Sequence, residues 1–151
     1  ADNTIRATEN THIKLVRHDY TGNKGPWKAG NEEAVIGELA EKWENPDPLT
    51  YTFTIRKGIN WPDLDPMKGR PITAQDVKYT FEQLLIPANK GGLALEYVSK
   101  IVGAKDIRDG KTTELMGVKV VNDLTVEVRF TEPDVLFPMP FWMQRKFVVF
   151  D

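Results

Sequence analysis

The sequence predicts an α+β fold, a mixed or antiparallel sheet with packed helices, and three segments carry that expectation. Residues 50–56 read Thr-Tyr-Thr-Phe-Thr-Ile-Arg. This puts Tyr51, Phe53 and Ile55 on one face and Thr52, Thr54 and Arg56 on the other, the period-two pattern of a half-buried strand. Val77, Phe81, Leu84 and Leu85 fall at i, i+4, i+7 and i+8, the stripe of an amphipathic helix. Thr73 and Asp76 have the spacing of a capping box in which Asp replaces the longer Glu or Gln, and Pro87 lies beyond the end, so the helix is placed at about 74–86. Over residues 117–130, Val118, Val120 and Val121 precede an Asn122-Asp123 turn. Leu124, Val126, Val128 and Phe130 then alternate with Thr125, Glu127 and Arg129, which predicts a β-hairpin.

The remaining segments follow in order. Residues 13–20 alternate through Ile13 and Leu15 until Val16 breaks phase, predicting a short strand, and residues 21–26 form a loop rich in turn formers. Apolar residues at 35, 36, 39, 40 and 43 predict a short helical turn leading into an extended segment, with Pro46 and Pro48 forcing a turn. Residues 61–71 read as a Pro- and Gly-punctuated loop. Residues 93–102 are apolar without clear periodicity, and residues 106–113 read as a polar, Gly-containing loop. Pro133, Pro138 and Pro140 exclude a regular helix or central strand around Val135, Leu136, Phe137, Phe141 and Trp142, whose apolar side chains need a burial partner.

The 151 residues suit one domain, and no repeat or linker composition divides them. A net charge of −2 with scattered Lys and Arg lacks the footprint of a nucleic-acid binder. No apolar run approaches the roughly 20 residues a membrane span needs, and the polar residues 1–4 do not read as a signal peptide, which a mature protein would have lost. The absence of cysteine excludes disulfides, thiolate metal sites and Cys nucleophiles.

Taken together, Leu39-Ala-Glu-Lys-Trp43, Tyr51-Thr-Phe-Thr-Ile-Arg-Lys-Gly58, Trp61, Ile72-Thr-Ala-Gln-Asp-Val77 and the helix through Phe81 form a constellation, continued by Gly117-Val-Lys and Phe130-Thr-Glu-Pro133. It resembles the peptide/nickel-type extracytoplasmic solute-binding proteins of ABC importers, family 5, over roughly residues 36–137 and more loosely 12–19. The resemblance implies the smaller lobe of a periplasmic-binding-protein type II fold, with residues 1–151 as one domain II-like lobe of a larger two-lobed protein. It implies solute capture, with an oligopeptide, oligosaccharide or nickel-chelate ligand enclosed between lobes. The second lobe and the transporter's membrane subunits are the implied partners, and the location is extracytoplasmic, in the periplasm or at the cell surface as a lipoprotein. Where the family usually has His-Asp-Gly after the Trp, this chain has an expanded loop, residues 62–69, which marks a subgroup. An isolated lobe offers half a cleft and is expected to bind weakly or not at all.

The motif residues themselves read as architecture: Trp43 and Phe53 as core, Gly58 as a turn position. Candidate ligand contacts are the aromatic residues outside the firm elements, Tyr97 first, then Trp61, Trp27 and Trp142, which could present flat apolar faces to a cleft. Core packing is the competing role for each. No catalytic role is expected. His12 and His18 suit neither a metal motif nor a triad; Asp63, Asp65 and Asp134 do not complete an EF-hand; Glu38, Glu41, Glu44 and Glu96 name no hydrolytic pair; and no phosphate loop or Gly-x-Ser-x-Gly elbow occurs. No cofactor or metal is expected. The alternatives are an autonomous carbohydrate-binding module, which needs coplanar exposed aromatics, and a non-binding structural or interaction domain. Apolar residues 133–150 are expected to promote self-association.

Overall fold

The computed structural model describes residues 14–18, 35–63, 65–89, 95 and 98–133. Strands β1 (Val16–His18) and β2 (Val35–Gly37) form a small antiparallel pair. Strands β3 (Ala40–Asp47), β4 (Thr50–Ile55), β5 (Val118–Asn122) and β6 (Thr125–Arg129) form an antiparallel sheet in the order β3-β4-β6-β5. Helix α1 (Ala74–Leu85) packs against β5 and β6, and the short helix α2 (Ala104–Arg108) lies beside it.

Cross-strand register explains the core. Trp43, Phe53, Val126 and Val120 stand opposite one another across the four strands, so their side chains share one face. Phe53, Val126 and Val128 from the sheet join Val77, Phe81, Leu84 and Leu85 from α1 in a single buried cluster. Tyr51 meets Phe130 edge to face, with ring centroids 6.1 Å apart. Glu44, Thr52, Glu127 and Lys119 form the adjacent register row and so occupy the opposite, polar face. One-sided burial of this kind produces the alternation seen at 50–56.

The strand at 50–56, the helix and the hairpin all form, and the capping box at Thr73 and Asp76 closes. Gly58 sits at φ +83°, a left-handed turn position open to glycine. Phe53 is core as expected, whereas Trp43 is only half-buried against it.

Four expectations about individual elements are corrected. Residues 35–43 hold no helical turn: β2 ends at Gly37 and β3 begins at Ala40. The helix-like spacing comes from a bulge. Ala40 pairs with Ile55 and Lys42 with Thr54, leaving Glu41 as an extra residue, so Ala40 and Trp43 both turn toward the core. The segment 106–113 is not all loop, because α2 runs through Arg108; Gly103 at φ +85° redirects the chain, and Ala104 and Ile107, one helical turn apart, are buried. The hairpin strand continues through Asn122, whose Oδ1 accepts the Leu124 N–H at 2.9 Å, so the turn is centred on Asp123 and Leu124. Pro46 likewise lies within β3, in an unpaired stretch between Glu44 and Asp47, and the turn follows at 48–49.

Candidate functional site

Among the four aromatic candidates, Trp61 is within the described residues; Trp27, Tyr97 and Trp142 lie outside them, as do His12, Asp134 and the apolar residues 134–150. Trp61 lies in the loop connecting β4 to α1, and backbone hydrogen bonds fold that loop back on itself. Trp61 N–H donates to Arg70 O at 2.9 Å, Gly69 N–H to Pro62 O at 3.1 Å, Arg70 N–H to Met67 O at 3.0 Å and Ile72 N–H to Ile59 O at 2.9 Å. Lys68 and Gly69 both adopt positive φ where the loop returns, and the Asp65-Pro66 peptide bond is cis. Hydrogen bonds therefore bring the two ends of the expanded loop together.

A single arginine joins this loop to the helix. Arg70 Nη1 and Nη2 donate to Asp76 Oδ2 and Oδ1 at 2.9 and 2.6 Å, a bidentate fork, and Nη1 also reaches Pro71 O at 3.1 Å. The guanidinium lies over the Trp61 ring, 5.7 Å from its centroid. Asp76 Oδ2 additionally accepts the Thr73 N–H at 2.8 Å and the Thr73 hydroxyl at 3.2 Å. Asp76 thus serves as helix cap and counterion at once.

Burial alone would raise the Asp76 carboxyl. The Arg70 hydrogen bonds and charge, with the Thr73 amide, outweigh burial and hold it below its ordinary value of 3.8. The Trp61 indole, whose N–H is buried without a hydrogen-bond partner, contributes least among the groups that lower this carboxyl. Trp61 is half-buried against the core, so its ring packs as well as displays.

Asp76→Asn is expected to reduce stability by about 1–2 kcal/mol near neutral pH, the scale of one cap and one charge-assisted hydrogen bond. Because the folded carboxyl is held low, its contribution is present above the unfolded value and is lost as pH falls through the lower folded value. Thermal melts of both proteins from about pH 7 to pH 2 should therefore converge in acid. A gap that stays constant with pH would assign the effect to packing.

Sequence reasoning found Asp76 as a cap but missed Arg70. The available signal was an arginine six residues before an acidic N3 position, within arm's reach once the intervening loop closes. Asp63 and Asp65 are exposed, and Asp65 pairs with Lys68 at 3.2 Å. No group of three potential metal ligands occurs among the described residues, and no helix among them is long and apolar enough to cross a membrane.

Comparison with known proteins supplies what this geometry does not specify. Residues 34–150 match the family described as "Bacterial extracellular solute-binding proteins, family 5 Middle". The periplasmic oligopeptide-binding protein OppA of Escherichia coli is 38% identical over 99 residues, covering 63% of this chain and 17% of its own length. The oligopeptide-binding protein AmiA of Streptococcus pneumoniae is 31% identical over 148 residues, covering 95% of this chain and 20% of its own. The unliganded, open form of the murein tripeptide-binding protein MppA superposes with a TM-score of 0.76 at 26% identity, over 97% of this chain and 26% of that one. The substrate-binding domain of an oligopeptide ABC transporter from Bacillus anthracis gives 0.76 at 25% identity, over 100% and 26%. The fold is that of a periplasmic binding protein, and the chain spans about a fifth of the length of these curated relatives.

Proposed function

The chain belongs to the bacterial extracellular solute-binding proteins of family 5, and on that premise we propose that it forms part of an oligopeptide-binding protein serving an ABC importer outside the cytoplasm. The observation that carries this reading is the agreement of names among relatives at 31–38% identity: OppA and AmiA are both described by oligopeptide binding. Both names speak of oligopeptides, which supports a peptide ligand over an oligosaccharide. In this reading residues 1–151 act as one lobe, and a second lobe of a longer protein completes the cleft. Trp27, Trp61, Tyr97 and Trp142 contribute aromatic surface to it. Transporter membrane subunits receive the loaded protein.

Calorimetric titration of the full-length protein that carries this chain, against tri- to pentapeptides and against oligosaccharides, tests the reading. Peptide binding that the chain alone fails to reproduce is the expected result. Sugar binding without peptide binding would overturn the ligand class, and equally tight binding by the chain alone would overturn the two-lobe arrangement.

A further inference from the structure

Gly37, Glu38 and Leu39 connect the small β1-β2 pair to the four-stranded sheet, and their three consecutive carbonyls converge on one residue. Arg56 N–H donates to Leu39 O at 2.9 Å, Arg56 Nε to Glu38 O at 2.8 Å and Arg56 Nη2 to Gly37 O at 3.4 Å. The other side of the connection is held by Lys14 and Leu15, just before β1. Glu38, Leu39 and Ala40 N–H groups donate to Leu15 O, Lys14 O and Leu15 O at 3.1, 2.8 and 2.9 Å, and the Lys14 N–H donates to Glu38 Oε2 at 3.0 Å. At Gly37 an added Cβ would stand 2.0 Å from Ala40 O, so the connection is as tight as backbone permits.

We propose that Arg56 is a positioning residue that fixes how the β1-β2 pair sits against the four-stranded sheet. It is placed for that role. Its backbone continues β4, the strand at the centre of the core, while its exposed side chain reaches back over the connection, so sheet and connection are tied through one residue. A planar guanidinium with donors at fixed angles can hold two adjacent carbonyls together, which a lysine ammonium cannot do in the same geometry. An exposed hydrogen bond of this kind adds little to global stability, since water can replace it at the carbonyls. What water cannot replace is the tether. Without it the connection opens locally, on the scale of sub-global fluctuations, while the core stays folded.

The functional consequence rests on the proposed peptide-binding role. If only a fraction of molecules holds the β1-β2 pair in its docked position, the apparent affinity for a ligand requiring that position falls by the same fraction.

The test is hydrogen exchange read at individual amides in the full-length protein, comparing Arg56→Ala, Arg56→Lys and the parent, followed by peptide titration of the same three. In Arg56→Ala the amides of Glu38, Leu39 and Ala40 are expected to exchange roughly three- to tenfold faster, with the amides of Phe53 and Val126 unchanged. Peptide affinity is expected to weaken by a comparable or smaller factor, with Arg56→Lys intermediate. Unchanged exchange at 38–40, or an acceleration shared equally by Phe53 and Val126, would overturn the positioning role. A parent protein that binds no peptide would defeat the proposed function while leaving the exchange result to decide this inference by itself.

Discussion

Phe53→Ala is expected to destabilise the protein by about 3–5 kcal/mol, the cost of removing a fully buried aromatic ring and leaving a cavity that rigid neighbours cannot fill. Phe53 is completely buried in the central strand β4, with Trp43 and Val126 directly opposite on either side. Those neighbours are fixed by ladder hydrogen bonds, and the facing helix is fixed at its start by its cap and by the Ala74 N–H donating to Asp123 O at 2.8 Å. Collapse into the void would require the sheet or helix to shift as a body. Phe53→Leu keeps most of the volume and should cost less than half as much. Urea denaturation gives the measurement, as a fall in midpoint at constant slope. A loss under about 1.5 kcal/mol for the alanine variant would show that this region relaxes freely, contrary to the packing described.

The second large effect is expected from the smallest side-chain addition. Gly37→Ala places a methyl group 2.0 Å from the Ala40 carbonyl oxygen and within 3.5 Å of Glu41 O. Both are backbone atoms, so no rotamer change relieves the overlap. A destabilisation of about 2–4 kcal/mol follows, at or above the usual range for overpacking because the obstacle is main chain. Gly58→Ala supplies the contrast. There the added methyl meets nothing within 4 Å and the only penalty is the φ of +83°, costing about 1–2 kcal/mol. Thermal or urea unfolding of both variants should therefore rank Gly37→Ala as the more damaging. The reverse order would mean that the Gly37 connection rearranges readily.

Both predictions concern features with very different visibility in the sequence. Phe53 was legible because a strand buried on one face writes its environment as a period of two, and 50–56 obeys that rule without interruption. Helix α1 was legible through its apolar stripe and through Thr73 and Asp76, which mark its start. The connection at Gly37 was not. Its bulge at Glu41 returns Ala40 and Trp43 to the same face three residues apart, which mimics helical spacing, and no local property of the sequence separates the two cases. Arg56 and Arg70 were missed for a related reason. Each acts across a turn on atoms distant in sequence, Arg56 on carbonyls 18 and 19 residues earlier, and an isolated arginine in a polar stretch carries no period. The candidate site fared similarly: Trp61 was recognised as an aromatic in a loop, but the cation over its face was not.

The same bulge has a consequence for encounters between molecules. Among the described residues strand β3 ends the four-stranded sheet, and an end strand with a regular, flat ladder invites another chain to pair with it. Here the regularity fails twice, at Glu41 and again between Glu44 and Asp47, where Pro46 has no amide hydrogen to offer. Lys42 and Glu44 add exposed charge between the two interruptions. An incoming strand would find at most three consecutive residues in register before meeting a kink or a missing donor. The irregularity that obscured this segment in the sequence thus also makes it a poor template for amyloid-like growth.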